Sequence, residues 1–354
     1  MEGLDRAVGP GNGDSSRISV IINTARREKY VDDALRSVER QSLGRDRIEV
    51  VVVSGRQDVL SHLAGSDASL ILLRDSDNAG GYYASGIRES TGEIIALLDD
   101  DDEFLPSKLL VISNLFRTHP HLELYHHHRE YMDEERKPLP DGFLFPRASR
   151  KLQRGSPILL AAPYDKRSLL RLTSTDVLFN SSSLVVRRRF VQPLLPLLSR
   201  VELAVDSFLV MAAIAERRSV LVDGQRLSRY RIHTSNASQV ASHSALSPPS
   251  PELGLKYEAR IEADGELIRR FLTKAPDDDF ARVADALVAV NGFYRSVRYS
   301  TRREQMRWAL KVLSRVDTFI GRSHVLPALT VFASLPFPKG VQPWLDSARR
   351  LLRG

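Results

Sequence analysis

Residues 94–102 form a short apolar run that ends in four consecutive aspartates, Ile94-Ile95-Ala96-Leu97-Leu98-Asp99-Asp100-Asp101-Asp102. The run follows Thr91-Gly92 and holds no polar residue before the aspartates, which is typical of a strand buried on both faces of a sheet. Ligands of open α/β sheets bind at the carboxyl ends of the strands. The run therefore predicts an α/β fold and a site at the end of this strand.

The four carboxylates repel one another unless a cation relieves them, and oxygen ligands of this kind suit Mg²⁺ or Mn²⁺. Alternate side chains of an extended chain share a side, so Asp99 and Asp101 are expected to point the same way. The alternative is a solvated acidic loop, or the N-terminus of a helix that begins near Pro106. A second run, 277–279, has that simpler character because helically spaced apolar residues follow it. Because the first run ends a buried strand, we interpret it as a site for a metal ion and a diphosphate.

Strands and helices alternate along the first hundred residues. Short apolar runs predict three further strands, at 18–22, 48–53 and 70–73. A helix is predicted between the first two strands from the spacing of its apolar residues, Val31, Ala34, Leu35 and Val38. Another helix is predicted at 79–90. This alternation is the pattern of a parallel sheet with right-handed crossovers.

The chain after the aspartates predicts a helix from Pro106 to about His119 and then elements that complete the sheet. Strands are predicted at 122–128, as a pair within 177–186, at 219–222 and at 226–233. Residues 138–172, rich in Pro, Gly, Arg and Lys, are expected to form a mobile flap, and 207–217 a helix. We therefore predict a mixed, mainly parallel sheet flanked by helices.

Composition divides the chain into four regions. These are a disordered tail at 1–17, the sheet domain at 18–238, a Ser/Pro-rich linker at 239–254 and a basic helical region at 255–354. The chain has no cysteine, which excludes disulfides, thiolate metal sites and cysteine nucleophiles. The N-terminal tail has neither an apolar core nor a charge pattern of a signal peptide, so a cytoplasmic protein is expected.

The net charge of +7 resides in the last part of the chain. Residues 301–354 contain ten Lys or Arg and three Asp or Glu, a difference that equals the whole excess. No basic stripe interleaved with aromatic residues is present elsewhere, so we predict no nucleic-acid partner. The apolar stretch 325–338 is too short to span a bilayer, and it predicts either a peripheral contact with an anionic membrane or a helix packed on the sheet domain.

Several segments in the right order resemble family 2 glycosyltransferases, a large group with the GT-A, Rossmann-like fold. The most specific segment is Thr91 to Asp102, which resembles the family's TGEYIAFLDSDD-like stretch with its Asp-X-Asp metal motif, and 105–109 continue it. Three further segments carry the resemblance, at 18–30, 78–87 and 229–233, the last being a late YRxH strand. Together they cover residues 18–238.

The resemblance implies an inverting hexosyltransferase that uses a nucleotide-diphospho-sugar donor, a divalent cation, Mg²⁺ or Mn²⁺, and a glycan or lipid-linked acceptor. It implies that Asp101 and His233 bind the metal and that Asp206 is the catalytic base. The implied donor-binding residues are Asn23, Thr24, Ser54, Asn78, Gly80, Asp99 and Asp100. Such enzymes build polysaccharides, glycolipids or glycoproteins, including glycans of the cell envelope.

The chain departs from the family pattern in places. Ser54 stands where an acidic residue usually contacts the nucleoside, and Val205 precedes Asp206 where the family has a second acidic residue. Asp206 could instead be a helix N-cap, with Glu202 as the fallback base. Two other functions stay open: a non-catalytic nucleotide-sugar-binding module, and a sugar nucleotidyltransferase, which would need a Gly-rich basic loop after the first strand.

Two clusters allow weaker predictions. His126-His127-His128 lie in a predicted strand, where only the first and third share a side, and we expect them to line an acceptor cleft. Arg187-Arg188-Arg189 could hold a phosphate on the acceptor or form a solvated strand end.

Overall fold

A computed structural model describes residues 16–24, 29–74, 76, 78–141, 156–164, 168, 171–172, 175, 177, 180–233, 259–260, 263–268, 306–307 and 310. The predicted linker, most of the tail and of the helical region, most of the flap, and the second aspartate run lie outside the described residues. The division into regions therefore stays a prediction.

The first half of the domain alternates as the periodicity predicts. Its strands are β1 (Ile18–Thr24), β2 (Ile48–Ser54), β3 (Ser69–Leu72), β4 (Ile94–Asp99) and β5 (Glu103–Phe104). Its helices are α1 (Val31–Glu39), α2 (Gln57–His62), α3 (Ala79–Glu89) and α4 (Lys108–Thr118).

The second half has longer strands and shorter helices. Its strands are β6 (Leu122–Met132), β7 (Pro138–Leu139), β8 (Ile158–Leu160), β9 (Leu184–Arg187) and β10 (Ser219–Arg231). Its described helices are α5 (Arg188–Val191), α6 (Leu195–Leu198) and α7 (Val205–Ala215).

The described strands form one mixed sheet in the order β3-β2-β1-β4-β9-β6-β10-β5, with β7 on β6 and β8 on β10. Strands β3, β2, β1 and β4 are parallel, as are β6 and β10, whereas β9 runs antiparallel to both of its neighbours. The mixed sheet flanked by helices confirms the predicted fold class.

Both faces of the sheet are covered, which explains the uninterrupted apolar runs of its central strands. In β1, Ile21 faces a cluster that contains residues of α3 and α7, whereas Val20 and Ile22 face a cluster with residues of α1, α2 and α4. The carboxyl ends of β1, β2 and β4 lie side by side, because Asn23 is in register with Asp99 and Thr24 with Ser54. The polar residues that follow these strands therefore share one edge.

Two predictions of secondary structure differ from what the structure describes. Of the pair of strands expected within 177–186, the described residues contain one, β9, which is preceded by a 3₁₀ turn at Ser181–Ser183, because Asn180 has a φ of 80° that interrupts an extended chain. The separate strands expected at 219–222 and 226–233 are one strand, β10. Register shifts near Asp223 break the alternation of its side chains, so the sequence pattern looks like two strands.

In the described part of the chain, no helix has the length and apolar character that crossing a bilayer requires.

Candidate active site

Asp99 ends β4 with its side chain half-exposed at the edge of the sheet. The Tyr83 hydroxyl of α3 donates to Asp99 Oδ1 at 2.7 Å, and the Asp99 N–H donates to Ser182 Oγ at 3.0 Å. Burial raises the pKa of the Tyr83 phenol well above its ordinary value, and the Asp99 carboxylate raises it further. The phenol therefore stays a donor, and it holds the Asp99 carboxylate in place.

Asp101 and His233 lie together although 132 positions separate them in the sequence. His233 Nε2 is 2.9 Å from Asp101 Oδ2, and the two side chains are only 2% and 6% exposed. The His233 ring also packs against Tyr30, with 5.1 Å between ring centroids. The structure thus brings together the two predicted metal ligands, one from the aspartate run and one from the end of β10.

Arg231 contacts the backbone of Asp101 in this pair. It is fully buried, and its Nε donates to the backbone oxygen of Asp101 at 2.9 Å. Its NH2 group donates to Asp33 at 3.0 Å and to Glu103 at 2.9 Å. Arg231 therefore connects the backbone of the aspartate run to the carboxylates of Asp33 and Glu103.

The donor set fits a divalent cation. A buried carboxylate and an imidazole at hydrogen-bonding distance, beside three more aspartates, provide oxygen and nitrogen ligands with an excess of negative charge. Among the described residues, no group of three or more such side chains is arranged to hold a metal on its own. Asp101 and His233 alone would leave the other coordination positions for water or for a diphosphate.

Asp102 and Asp100 point into the protein. Asp102 is fully buried and accepts hydrogen bonds from the Asn180 amide at 3.1 Å and from the Arg231 N–H at 3.1 Å. Burial, and then the charges of Asp101 and Asp99, raise the pKa of the Asp102 carboxyl well above its ordinary value. Asp100 is 2% exposed, and its N–H donates to the Asn23 carbonyl at 3.2 Å. These two residues therefore shape the turn that presents Asp99 and Asp101.

Asp206 lies in the first turn of α7, one residue after its beginning. The N-cap position is Ala204, so Asp206 is not the N-cap that was the alternative explanation. Its Oδ2 accepts the Asn180 N–H and its Oδ1 the Ser207 N–H, both at 2.6 Å. Asn180 thereby connects Asp206 to Asp102, and through it to the aspartate run.

The other predicted donor-binding residues take structural contacts. The Ser54 hydroxyl is fully buried, donates to the Thr24 carbonyl at 3.0 Å and accepts the Arg56 N–H at 3.1 Å. Asn78 caps α3 by accepting the Gly81 N–H at 2.6 Å. Gly80 donates to the Val201 carbonyl at 3.0 Å. Asn23, Thr24 and Ser54 share the edge with Asp99. The donor-binding role of these residues, and that of Asn78 and Gly80, stays a prediction.

The two weaker predictions were wrong in detail. His126, His127 and His128 are completely buried within the sheet, so they do not line an open cleft. Burial lowers the pKa of His127 well below its ordinary value. Arg187 and Arg188 are half-buried and donate to backbone carbonyls, Arg187 to those of Phe116 and Leu122 and Arg188 to those of Ile87 and Gly92. Arg189 remains exposed, as predicted, and donates to the Glu123 carboxylate and the Pro120 carbonyl.

Sequence reasoning missed Asn180, Tyr83 and Arg231 as residues of this site. Arg231 is the arginine of the YRxH pattern in the 229–233 segment that resembles the family, and its place in that pattern was a usable signal. Asn180 carried no signal, because neither its positive φ nor its two carboxylate partners follow from neighbouring residues.

Comparison with known proteins adds independent findings. The model of "Glycosyl transferase family 2" matches residues 19–191. An uncharacterized glycosyltransferase of Nostoc sp. is 26% identical over 267 residues, which cover 73% of this chain and 76% of the relative.

Solved structures share the fold at low identity. S. aureus TarS 1–349 in complex with UDP has a TM-score of 0.54 and 16% identity, covering 94% of this chain and 87% of that one. The mannosyltransferase PcManGT from Pyrobaculum calidifontis, in complex with GDP-Man and Mn²⁺, has a TM-score of 0.52 and 14% identity, covering 97% and 87%.

The sheet has the GT-A fold, and residues 19–191 match the family 2 model, so these findings together support a glycosyltransferase of the family 2, GT-A type. This confirms the resemblance and the prediction of an enzyme that transfers a sugar. It also favours that prediction over the sugar nucleotidyltransferase alternative.

Proposed function

We propose that this enzyme moves a sugar, with inversion, from a nucleotide-diphospho-sugar to an acceptor hydroxyl, and that it uses a divalent cation. The observation that carries the proposal is the buried Asp101–His233 pair at the end of β4, joined through Asp102 and Asn180 to the Asp206 carboxylate. A cation site and a candidate base thus lie in one connected framework.

The donor class is supported by the structural neighbours. TarS has been solved with UDP and with UDP-GlcNAc, and PcManGT with GDP-Man and Mn²⁺. For this chain, the aligned ends of β1, β2 and β4 provide an edge where Asn23 and Asp99 are proposed to receive the nucleotide, with the buried Thr24, Ser54 and Asp100 holding the strand ends in place.

Asp101 and His233 would hold the cation, which when bound supplies positive charge against the diphosphate leaving group. Asp99 keeps its orientation through the Tyr83 hydroxyl and would face the donor's ribose or diphosphate. Asp206 would accept the proton of the acceptor hydroxyl as the hydroxyl oxygen bonds to the anomeric carbon. The bond from that carbon to the phosphate oxygen breaks, its electron pair leaves with the nucleoside diphosphate, and attack from the opposite face inverts the carbon.

Asp206 suits the role of base better than Glu202 does. Its carboxylate is partly exposed, and two N–H groups fix its orientation, as a base that must meet an incoming hydroxyl requires. Glu202 instead forms an ion pair with Arg260 at 2.9 Å. We therefore assign the base to Asp206.

The acceptor is proposed only as a class of molecule. We propose a glycan or lipid-linked acceptor, met in the cytoplasm or at the inner face of the membrane through residues 301–354, whose ten basic residues would favour anionic lipids. Binding of the full chain to anionic vesicles, compared with a chain that ends at 300, tests this part. Equal binding by the two would refute it.

The function is tested by a thermal-shift screen of UDP, GDP, dTDP, CDP and ADP, each with and without Mn²⁺. A ligand that binds only the folded state raises its melting temperature by mass action. We expect one nucleotide to give a shift that depends on Mn²⁺, and the corresponding nucleotide sugar then to be turned over. Metal-independent binding without turnover would instead support the non-catalytic binding module, and no shift at all would overturn the proposal.

A further inference from the structure

Helix α7, which carries Asp206, has no N-terminal cap of its own. Its N-cap residue is Ala204, whose side chain accepts no hydrogen bond. The backbone N–H groups at the beginning of a helix lack partners within the helix and need an acceptor from elsewhere. Side-chain oxygens of Ser, Thr, Asp or Asn at the N-cap usually supply it, and Ala204 lacks one.

A carboxylate from far along the chain instead binds the N-cap N–H and the two N–H groups before it. Asp264 accepts the N–H of Glu202 on Oδ1 at 2.6 Å and the N–H groups of Leu203 and Ala204 on Oδ2, both at 2.8 Å. The Asp264 side chain belongs to a residue that is only 2% exposed. Three consecutive N–H groups, ending at the N-cap, therefore converge on a single buried carboxylate, and charge-assisted hydrogen bonds of this kind are the strong ones.

Two residues close to Asp264 in the sequence, Arg260 and Ile268, lie at the same loop or in the apolar cluster beside it. Arg260 Nε donates to Glu202 Oε2 at 2.9 Å, and its NH2 group donates to the Glu202 carbonyl at 3.2 Å. Ile268 is 5% exposed and is part of the apolar cluster that also contains Val201 and Val205. Arg260, Asp264 and Ile268 thus meet the loop and its cluster through an ion pair, a carboxylate and an apolar side chain.

The opposite side of the loop is held by α3. The Ala79 N–H donates to the Glu202 carbonyl at 2.9 Å, and the Gly80 N–H donates to the Val201 carbonyl at 3.0 Å. The first two carbonyls of the loop 201–204 are therefore bound by the beginning of α3, and the N–H groups of 202–204 by Asp264. Asp206 follows two residues after this loop, so the position of its carboxylate depends on how the loop is held.

We propose that Asp264 is a positioning residue for Asp206, so that a segment outside the central sheet completes the base site. This inference rests on the proposed function, since it takes Asp206 as the base. A carboxylate misplaced by about 1 Å can reduce turnover by about 10²-fold. Loss of the Asp264 bonds is therefore expected to slow turnover while the donor edge, built from other residues, stays intact.

The alternative is that Asp264 only stabilises the fold. Asp264→Asn keeps the size of the side chain but removes its charge and one acceptor oxygen. Asp223→Asn is the matched control, because Asp223 is 6% exposed and also accepts three hydrogen bonds, from Tyr125 and twice from Gln225. Both variants are made in the full chain and studied well below their melting temperatures.

Turnover is followed as release of nucleoside diphosphate from UDP-GlcNAc or GDP-mannose. We expect kcat of Asp264→Asn to fall about 10- to 100-fold with a donor KM within about twofold of the parent, and kcat of Asp223→Asn to stay within about twofold. A parental kcat in Asp264→Asn, or an equal loss in both variants, would overturn the proposal.

A double-mutant cycle examines whether Asp264 acts through Asp206. If it does, adding Asp264→Asn to Asp206→Asn lowers the residual kcat little further, whereas independent roles give additive losses. Hydrogen exchange of the 202–207 amides separates this proposal from the proposed function. Should the parent turn over neither sugar nucleotide, the proposed function fails; faster exchange in Asp264→Asn alone would then still support Asp264 as the residue that holds the loop, and unchanged exchange would refute it.

Discussion

The Asn180 N–H lies 2.6 Å from Oδ2 of Asp206 and donates a hydrogen bond to it. The same residue donates its side-chain amide to Asp102 at 3.1 Å and has a φ of 80°. One residue in an uncommon backbone conformation therefore links the candidate base to the aspartate run, and such conformations persist only where surrounding contacts hold them.

Substitution of Asn180 should separate its two bonds. Both Asn180→Gly and Asn180→Ala remove the side-chain amide and keep the backbone N–H. Glycine adopts a positive φ readily, whereas alanine disfavours it. We expect turnover of the donor to fall in both variants and to fall further in Asn180→Ala, by about tenfold, because the Asp206 carboxylate then loses its orientation. Equal kcat values for the two variants would show that the backbone conformation of Asn180 does not matter for the base.

Asp206→Asn should bind the donor as the parent does and lose turnover. A general base typically contributes about 10²- to 10⁴-fold, so we expect kcat to fall by that order while the nucleotide-dependent thermal shift is retained. Glu202→Gln is the companion variant, and it should keep most of the turnover because Glu202 pairs with Arg260. The reverse result, with turnover lost in Glu202→Gln and kept in Asp206→Asn, would assign the base to Glu202.

Replacement of either proposed metal ligand should remove the effect of Mn²⁺. We expect Asp101→Ala and His233→Ala to lose the Mn²⁺-dependent part of the nucleotide thermal shift, because each removes one of two protein ligands. His62→Ala is the control, since His62 also pairs with a carboxylate, Asp32 at 3.0 Å, but is exposed and outside the site. A Mn²⁺ effect that survives in both ligand variants would place the metal elsewhere.

Gly80→Ala should destabilise the protein because α3 approaches the loop after α6 too closely for a methyl group. A Cβ at position 80 would clash with the Leu198 carbonyl oxygen and would lie 2.7 Å from that of Val201. We expect the free energy of unfolding to fall by about 1 to 3 kcal/mol, measured by urea denaturation.

Gly65→Ala is the matched control for this prediction. No atom lies within 4 Å of the Cβ it would add, so its stability should stay within about 1 kcal/mol of the parent. If the two alanine variants unfold at the same urea concentration, the close approach at Gly80 does not affect the stability of the protein.

Glu49 should make the protein more stable as pH rises through the acid range. Burial alone would raise its pKa, but hydrogen bonds from Ser19, Thr91 and Gly92 lower it below its ordinary value of 4.5. The unfolded chain then binds more protons between the two pKa values, so the contribution of Glu49 is complete above about 4.5 and is lost as pH falls below it.

Glu49→Gln is therefore expected to lower the free energy of unfolding at pH 7 and to lessen its fall between pH 5 and pH 3. Thermal unfolding of the parent and the variant across that range measures the difference. Parallel curves for the two proteins would contradict a lowered pKa at this residue.

Much of the first half of the fold follows from local patterns. The spacing of Val31, Ala34, Leu35 and Val38 predicted α1, and all four are buried on the helix face that packs against the sheet. The strand before the aspartates was predicted because buried parallel strands are apolar throughout. Of the pair of strands predicted within 177–186, the described residues contain one, since no local pattern signals the positive φ at Asn180.

The sequence predicted the place of the candidate site and some of its residues, as it predicted part of the fold. The aspartate run located it at the end of β4, and the resemblance named His233, which the structure places 2.9 Å from Asp101. Asn180 and Asp264 were not predicted, because each contributes by meeting backbone or carboxylate groups that are distant in the sequence.

Periodicity and local chemistry thus predict the α/β class and the strand that carries the aspartates, and the resemblance of short segments indicates the family, because all of these depend on residues that are neighbours along the chain. The folded chain alone establishes which carboxylates face one another, which are buried as scaffold and what holds the Asp206 helix. Those properties depend on burial and on hydrogen bonds between residues far apart in the sequence, and both arise only when the sheet and its helices have packed.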